Sequence, residues 1–220
     1  MTARSPFGRG VDAVQTHIRR AIVPLQAVLA RVPAGGDLVD LGCGQGLLLD
    51  QVLPRVHRVV GVDYDPRKLD MACALLSTEL ATGKVQLVHA DLLQWLAQTD
   101  LRFDSALMVD TLSSFRPADQ DQILHGAVRI LRPGGTLLLK VVDAEPRYKA
   151  LMSQALSGLV YRVMRLSKSA DQRFWYRPST QLAHVLEHAG CTVERILLHA
   201  KRPVPHPIPH VLLIARKAGG

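Results

Sequence analysis

The chain has 220 residues, 48% of them hydrophobic and 21% charged, which is typical of one folded α/β domain and excludes a disordered or fibrous protein. Its 27 basic and 19 acidic residues give a formal charge of +8, so nucleic acid, anionic membranes and acidic small molecules are all candidate partners. No apolar run approaches the roughly 18 residues that span a bilayer, and the first ten residues lack a signal-peptide core, so we expect a cytoplasmic protein.

The apolar pattern alternates between strand-like and helix-like segments along the chain. An amphipathic helix with a break near Pro24 is predicted over 12–31. Strands buried on both faces are predicted at 38–41, 59–62, 85–89, 106–109 and 136–142. Helices are predicted between and after them at 45–53, 66–81, 91–97, 117–131, 147–168 and 178–188. Two last strands are predicted at 192–198 and 210–215.

This alternation predicts an α/β fold with a doubly wound, Rossmann-like parallel sheet, in which ligands bind outside the carboxyl ends of the strands. We expect a single domain over 1–220. Its predicted parts are an N-terminal helical cap (1–35), a cofactor-binding core (36–142), a variable insertion (143–178) and a C-terminal helix and strand pair (179–220). The three cysteines Cys43, Cys73 and Cys191 are widely spaced and indicate neither a disulfide framework nor a metal site.

A glycine-rich turn follows the first predicted strand. Gly42, Gly44 and Gly46 permit a tight turn and a close approach of a ligand to the backbone. A dinucleotide fingerprint requires G-x-G-x-x-G, but Leu47 stands where its third glycine belongs, which disfavours pyrophosphate binding. Asp63 ends the next strand, where its carboxylate can accept hydrogen bonds from ribose hydroxyls.

With Asp40 before the turn, the string Asp40-Leu-Gly-Cys-Gly-Gln-Gly46 resembles motif I of the class I S-adenosylmethionine-dependent methyltransferases. Asp91 and Asp110 follow the third and fourth strands in the order that this family leads one to expect. The resemblance covers about 36–142 and, more loosely, the last helix and strand pair. It implies a seven-stranded, mostly parallel sheet with an antiparallel last strand, helices on both faces, and S-adenosyl-L-methionine as cofactor.

The resemblance also implies a cofactor site, which would consist of Asp40, Gly42, Cys43, Gly44, Gly46, Asp63, Tyr64, Asp91, Leu92 and Asp110. Asp63 would bind both ribose hydroxyls and Tyr64 would lie against the adenine, unless it is a core ring. Asp91 with the backbone of Leu92 would contact the adenine amino group, although an aspartate that begins a helix is also an N-cap. Asp40 would brace the turn or contact the amino group of the cofactor, and Cys43 would pack as a small side chain.

No residue is an unmistakable general base for removing a proton from the acceptor. Asp110 ends the fourth strand, where the family often places catalytic residues, and His199, His206 and His210 surround the last strand connection. All four are candidate catalytic residues, and each has an ordinary structural role as the alternative. Two histidines on a proline-rich loop supply too few ligands for a metal ion, so no metal is expected.

Two features of the sequence bear on the identity of the methyl acceptor: the absence of base-methyltransferase motifs and the insertion after the fifth predicted strand. Residues 109–114 lack the Asn/Asp-Pro-Pro-Tyr and Pro-Cys motifs of nucleic-acid base methyltransferases. We therefore expect a small apolar or aromatic metabolite or a lipid-like intermediate, methylated at oxygen. An RNA methyltransferase remains an alternative because of the positive charge, and an inactive, cofactor-binding partner subunit is another.

The predicted helix 147–168 is amphipathic and basic, so it suits peripheral contact with an anionic membrane, a hydrophobic lid, packing on its own domain, or a homodimer interface. The aromatics at 174–176 follow it, between Arg173 and Arg177. We expect this cluster near the mouth of the site, where it would suit a planar acceptor that carries a carboxylate or phosphate.

Overall fold

The computed structural model describes residues 25–144, 174–198 and 210–219. The strands are β1 (Asp37–Leu41), β2 (Arg58–Asp63), β3 (Val85–His89), β4 (Phe103–Val109), β5 (Leu131–Val142), β6 (Cys191–Leu198) and β7 (His210–Lys217). The helices are α1 (Leu25–Leu29), α2 (Leu47–Val52), α3 (Pro66–Leu75), α4 (Ser77–Ala81), α5 (Leu92–Gln98), α6 (Pro117–Arg129) and α7 (Ser179–His188). Short 3₁₀ turns occur at Leu53–Arg55 and Leu112–Ser114.

The seven strands form one sheet in the order β3-β2-β1-β4-β5-β7-β6. Neighbours from β3 to β5 pair in parallel, whereas β7 is antiparallel to both β5 and β6. The predicted fold class is therefore confirmed, including the antiparallel last strand. The order in which strands are added to the sheet reverses at β1, since β2 and β3 lie on one side of it and β4 and β5 on the other. This reversal places a ligand crevice at the carboxyl ends of β1 and β4.

Helices cover both faces of the sheet because the central strands are apolar on both sides. On one face, strand residues such as Val39 and Met108 pack against α5, α6 and α7. On the other face, residues such as Leu38 and Leu107 pack against α1, α2 and α3. The strand β3 differs, since Gln86 and His89 are exposed. The prediction that 85–89 is buried on both faces was wrong, because β3 is an edge strand with β2 as its one neighbour in the sheet.

Among the predicted boundaries that differ from the structure, two have a local explanation. The single helix predicted over 66–81 is interrupted at Leu76, whose backbone leaves the helical region with φ −109° and ψ 25°. The Leu76 side chain is fully buried, close to Gly46 in the glycine turn. The strand predicted at 136–142 begins at Leu131, which pairs with Phe103 before an irregularity in the register.

Of the N-terminal helix predicted over 12–31, the described residues contain α1. The insertion helix predicted at 147–168 lies outside the described residues. In the part of the chain that the structure describes, no helix has the length and apolar character needed to cross a bilayer.

Candidate active site

The loops that follow β1 and β4 meet at the carboxyl edge of the sheet. The Thr111 side chain, just after β4, occupies the space beside Gly42, just after β1. A Cβ atom on Gly42 would lie 2.2 Å from the Thr111 hydroxyl oxygen. The glycine turn and the residues after β4 therefore form two walls of one site at the predicted crevice.

The three glycines of the turn have different surroundings. All three have left-handed backbones, with φ 93° at Gly42, 55° at Gly44 and 78° at Gly46. A Cβ on Gly46 would lie 3.1 Å from the Cβ of Ala72, so this glycine lets α2 pack closely on α3. A Cβ on Gly44 would have its nearest neighbour 4.0 Å away, at Lys68. Gly44 is therefore the member of the three that faces open space, where a ligand can approach the backbone.

Replacing Gly42 by alanine is expected to lower the free energy of unfolding by about 1–3 kcal/mol more than Gly83→Ala does. Gly83 is a matched control, because its φ is also left-handed, at 73°, but nothing lies within 4 Å of its Cβ position. Both variants carry left-handed strain of about 1–2 kcal/mol, and Gly42→Ala adds overpacking against Thr111. Urea denaturation measures both; equal losses would contradict the close approach of the two loops.

Asp63 holds the turn through both of its carboxylate oxygens. Oδ2 accepts a hydrogen bond from the Gly44 amide at 2.8 Å, and Oδ1 accepts one from the Asp65 amide at 2.9 Å. The side chain is 7% exposed. Each carboxylate oxygen can accept a second hydrogen bond, so Asp63 can brace the turn and still receive two ribose hydroxyls.

Asp40 is 2% exposed, and its Oδ2 atom has no hydrogen-bond partner among the described residues. Burial, followed by the charge of nearby Asp63, raises the pKa of Asp40 from 3.8 to about 7. A buried carboxyl oxygen without a donor is costly unless a ligand supplies one. The residues present therefore fit a cofactor that brings a positively charged amino group to this position.

The remaining predicted cofactor residues differ in exposure. The Tyr64 ring is 60% exposed, with the Lys68 ammonium 5.8 Å from its centroid, so it is not a core ring. Asp91 caps α5 by accepting a hydrogen bond from the Gln94 amide at 3.1 Å, and Leu92 is buried in the core. Cys43 packs in the core as a small side chain, as expected, and burial raises the pKa of its thiol.

Asp110 is bound to a lysine that the sequence analysis did not single out. The Lys140 Nζ donates to both carboxylate oxygens of Asp110, at 2.5 and 2.7 Å. The Lys140 side chain is fully buried and that of Asp110 is 25% exposed. The available signal was a lysine within the otherwise apolar run at 137–142.

Of the three candidate histidines, His210 is described, and His199 and His206 lie outside the described residues. His210 is buried at the start of β7, opposite Val142 of β5 and Leu198 of β6. Because β7 runs antiparallel to β5, its first residue lies at the edge that also carries the glycine turn. His210 therefore lies at the edge of the candidate site, while its catalytic role stays a prediction.

The aromatic segment at 174–178 is fastened to the loop after β4. The Trp175 amide donates to the Ser113 carbonyl at 2.7 Å, and the buried Gln120 amide group donates to the Trp175 carbonyl at 2.8 Å. The Arg177 guanidinium donates to the Asp121 carboxylate at 2.5 Å. The positive charge of Arg177 is therefore already paired within the protein. No group of metal-ligating side chains occurs within 25–144, 174–198 and 210–219.

Comparison with known proteins identifies the family. Residues 14–196 match the methyltransferase domain family. The chain belongs to this family. It is thus a class I S-adenosylmethionine-dependent methyltransferase, and its cofactor is S-adenosyl-L-methionine.

Individual relatives agree with this membership. The chain is 29% identical over 178 residues to a ubiquinone biosynthesis O-methyltransferase of Xylella fastidiosa, covering 79% of this methyltransferase and 68% of that protein. An O-methyltransferase family protein of Burkholderia thailandensis shares the fold with TM-score 0.65 and 21% identity, over 96% of this chain and 57% of that one. The N-methyltransferase NodS of Bradyrhizobium japonicum, solved with S-adenosyl-L-homocysteine, has TM-score 0.63 and 17% identity, over 97% and 88%.

Proposed function

We propose that this methyltransferase transfers a methyl group to a hydroxyl oxygen of a small apolar or aromatic acceptor. The observation that carries the proposal is the Asp110 carboxylate, which is partly exposed at the carboxyl edge of β4 and one residue from the wall formed by Thr111 and Gly42. A carboxylate is a pure hydrogen-bond acceptor, so it suits a hydroxyl that must be oriented and deprotonated.

The cofactor supplies a methyl group on a sulfonium, which is the electrophile. In the proposal, Asp63 holds the ribose and Asp40 the amino group, while the open backbone at Gly44 permits the cofactor to lie close to the turn. Tyr64 lies against the adenine, and Asp91 with the Leu92 backbone contacts its amino group. These residues bind and orient the cofactor, so that the reaction depends on placing one acceptor atom in line with the methyl group.

The proposed acceptor is a hydroxylated aromatic ring with an apolar substituent. Its support is the name of the Xylella relative, which indicates an intermediate of ubiquinone biosynthesis as the kind of molecule to test. The aromatic segment adds to this support, because Trp175 is bonded to Ser113 and remains 37% exposed. Ser113 in turn donates to the Asp110 carbonyl at 3.5 Å. The aromatic segment is therefore held against the loop that begins at the candidate base.

Other aspects of location and assembly stay predictions. We place the activity in the cytoplasm, with peripheral membrane contact through 147–168 and a homodimer as further predictions. A lipid-like acceptor would partition into the bilayer, so contact with the membrane would bring the enzyme close to its acceptor. Binding to vesicles that carry anionic lipid, compared with binding to neutral vesicles, measures this contact.

The experiment is methyl transfer from isotope-labelled cofactor to a panel of acceptors. The panel contains a dihydroxylated aromatic ring with an isoprenoid tail, the same ring without the tail, the corresponding aromatic amine, and RNA. We expect label on the hydroxyl oxygen of the tailed ring, and a weaker reaction without the tail. Preferred methylation of the amine or of RNA would contradict the proposal.

Replacing Asp110 by asparagine is expected to lower kcat about 10²- to 10⁴-fold, the usual contribution of a positioned acid–base group. Asparagine tolerates the left-handed backbone, φ 58°, that Asp110 adopts, so the turn is expected to persist. The matched control is Asp70→Asn, which removes an exposed carboxylate from α3. Steady-state kinetics measure both; unchanged kcat in Asp110→Asn would contradict a role for this carboxylate in the reaction.

A further inference from the structure

Lys140 is a charged residue placed where an apolar one would be expected. It lies in β5 between Leu139 and Val141, and its side chain has no exposed surface. Taking an ammonium group out of water is costly even when it is paired, and an apolar replacement of a buried ion pair is often neutral or stabilising. Stability alone therefore does not account for a lysine at this position.

Asp110, whose carboxylate Lys140 binds, has an unusual backbone conformation. Asp110 is the one residue other than glycine with positive φ among the described residues. Its amide still donates to the Lys140 carbonyl at 3.1 Å, so the β4–β5 ladder continues up to the residue where the backbone turns. The strained backbone of Asp110 and the buried charge of Lys140 therefore occur together at the ligand-binding edge of the sheet. Backbone strain of this kind is typical of functional sites.

We propose that Lys140 is a positioning residue for methyl transfer, which holds the Asp110 carboxylate in place toward the acceptor hydroxyl. This role rests on the proposed function. The contact of Nζ with both carboxylate oxygens fixes the rotation of the carboxylate as well as its place. Because the Lys140 side chain is fully buried, its ammonium group is held in place as well. The Asp110 carboxylate is therefore already oriented when the acceptor hydroxyl binds.

The acceptor oxygen forms a bond to the methyl carbon, and the carbon–sulfur bond breaks with its electron pair remaining on sulfur. The hydroxyl proton passes to the Asp110 carboxylate. The positive charge of the sulfonium is thereby cancelled against the negative charge of Asp110, and Lys140 keeps its proton throughout. Asp110 then returns its proton to water before the next turnover.

The test is a double-mutant cycle with Lys140→Met and Asp110→Asn. If Lys140 acts through Asp110, Lys140→Met lowers kcat about 10- to 100-fold alone but lowers it no further when Asp110 is already asparagine. Losses that multiply in the double variant would overturn the proposal. Lys140→Gln, which keeps one donor for Asp110 without the charge, is the second variant to be placed in the same cycle if Lys140→Met does not fold.

Two measurements separate this role from a structural one. Calorimetric titration with S-adenosylmethionine should give unchanged affinity for Lys140→Met, because the lysine serves the acceptor side. Lys217→Met is the matched control, since Lys217 ends the neighbouring strand β7 at the opposite edge and donates to the carbonyls of Val128 and Leu131; its kcat should stay native.

A native chain that binds the cofactor but methylates no hydroxyl acceptor would contradict the proposed function, and with it this role. Multiplying losses with an active native chain would contradict the role of Lys140 alone.

Discussion

Replacing Asp63 by asparagine is expected to weaken binding of S-adenosylmethionine about a hundredfold or more. Asparagine removes one acceptor oxygen and the negative charge at the other, and since each hydrogen bond to a charged group contributes about 1.5–3 kcal/mol, the two losses together cost about 3 kcal/mol. The Asp63 carboxylate also accepts hydrogen bonds from the backbone N–H groups of Gly44 and Asp65. The side-chain NH2 group of asparagine would face one of these two donors and could not accept its hydrogen bond. The turn itself is then held by one hydrogen bond in place of two.

Asp65→Asn is the matched control for this prediction. Asp65 is also a buried acid, two residues away, but its carboxylate caps α3 by accepting from the Arg67 amide at 3.1 Å. Asparagine is an equally good N-cap, so this variant should bind the cofactor with native affinity. Isothermal titration calorimetry measures both, and a native dissociation constant for Asp63→Asn would remove Asp63 from the cofactor site.

Replacing Asp40 by asparagine is expected to change the pH dependence of stability. In the folded chain burial and Asp63 raise the pKa of Asp40 to about 7, against an ordinary 3.8. Between pH 4 and pH 7 the unfolded chain therefore releases a proton that the folded chain retains. Because the unfolded state binds fewer protons, the free energy of unfolding falls as the pH rises, by up to about 4 kcal/mol from this group.

The Asp40→Asn variant lacks this penalty. Its stability relative to the native chain should rise by up to about 4 kcal/mol between pH 4 and pH 8, while its affinity for the cofactor falls. Urea denaturation at both pH values measures the difference, with Asp50→Asn, which removes an exposed acid of α2, as control. A native-minus-variant difference that stays constant with pH would show that Asp40 is not held in its protonated form.

The strand positions and the edge of the sheet that carries the glycine turn were predictable from local patterns. Short apolar runs mark strands by their composition, and the glycine turn with Asp63 marks the carboxyl edge, because both depend on residues close together in sequence. What the pattern did not reveal is which glycine is open. Gly46 is enclosed by Ala72 of α3 and by Leu76, which directly follows α3, and such a contact exists only once α2 and α3 have packed.

The polar contacts of the acceptor side could not be predicted for the same reason. Lys140 lies 30 residues from Asp110, and Gln120 lies 55 residues from Trp175, so both contacts are created by the fold. A lysine in an apolar strand signals a buried charge but not its partner. Arg177 illustrates the converse, since its position next to aromatics suggested a ligand contact, whereas Asp121 of α6 already pairs with it.

The most direct test of the site is a crystal structure of the chain with S-adenosylhomocysteine. We expect the ribose hydroxyls within hydrogen-bond distance of the Asp63 carboxylate and the amino group beside Asp40. We also expect the sulfur to face the side of the crevice where Lys140 holds Asp110. A ligand bound away from the glycine turn, or one whose sulfur faces away from Asp110, would contradict the account.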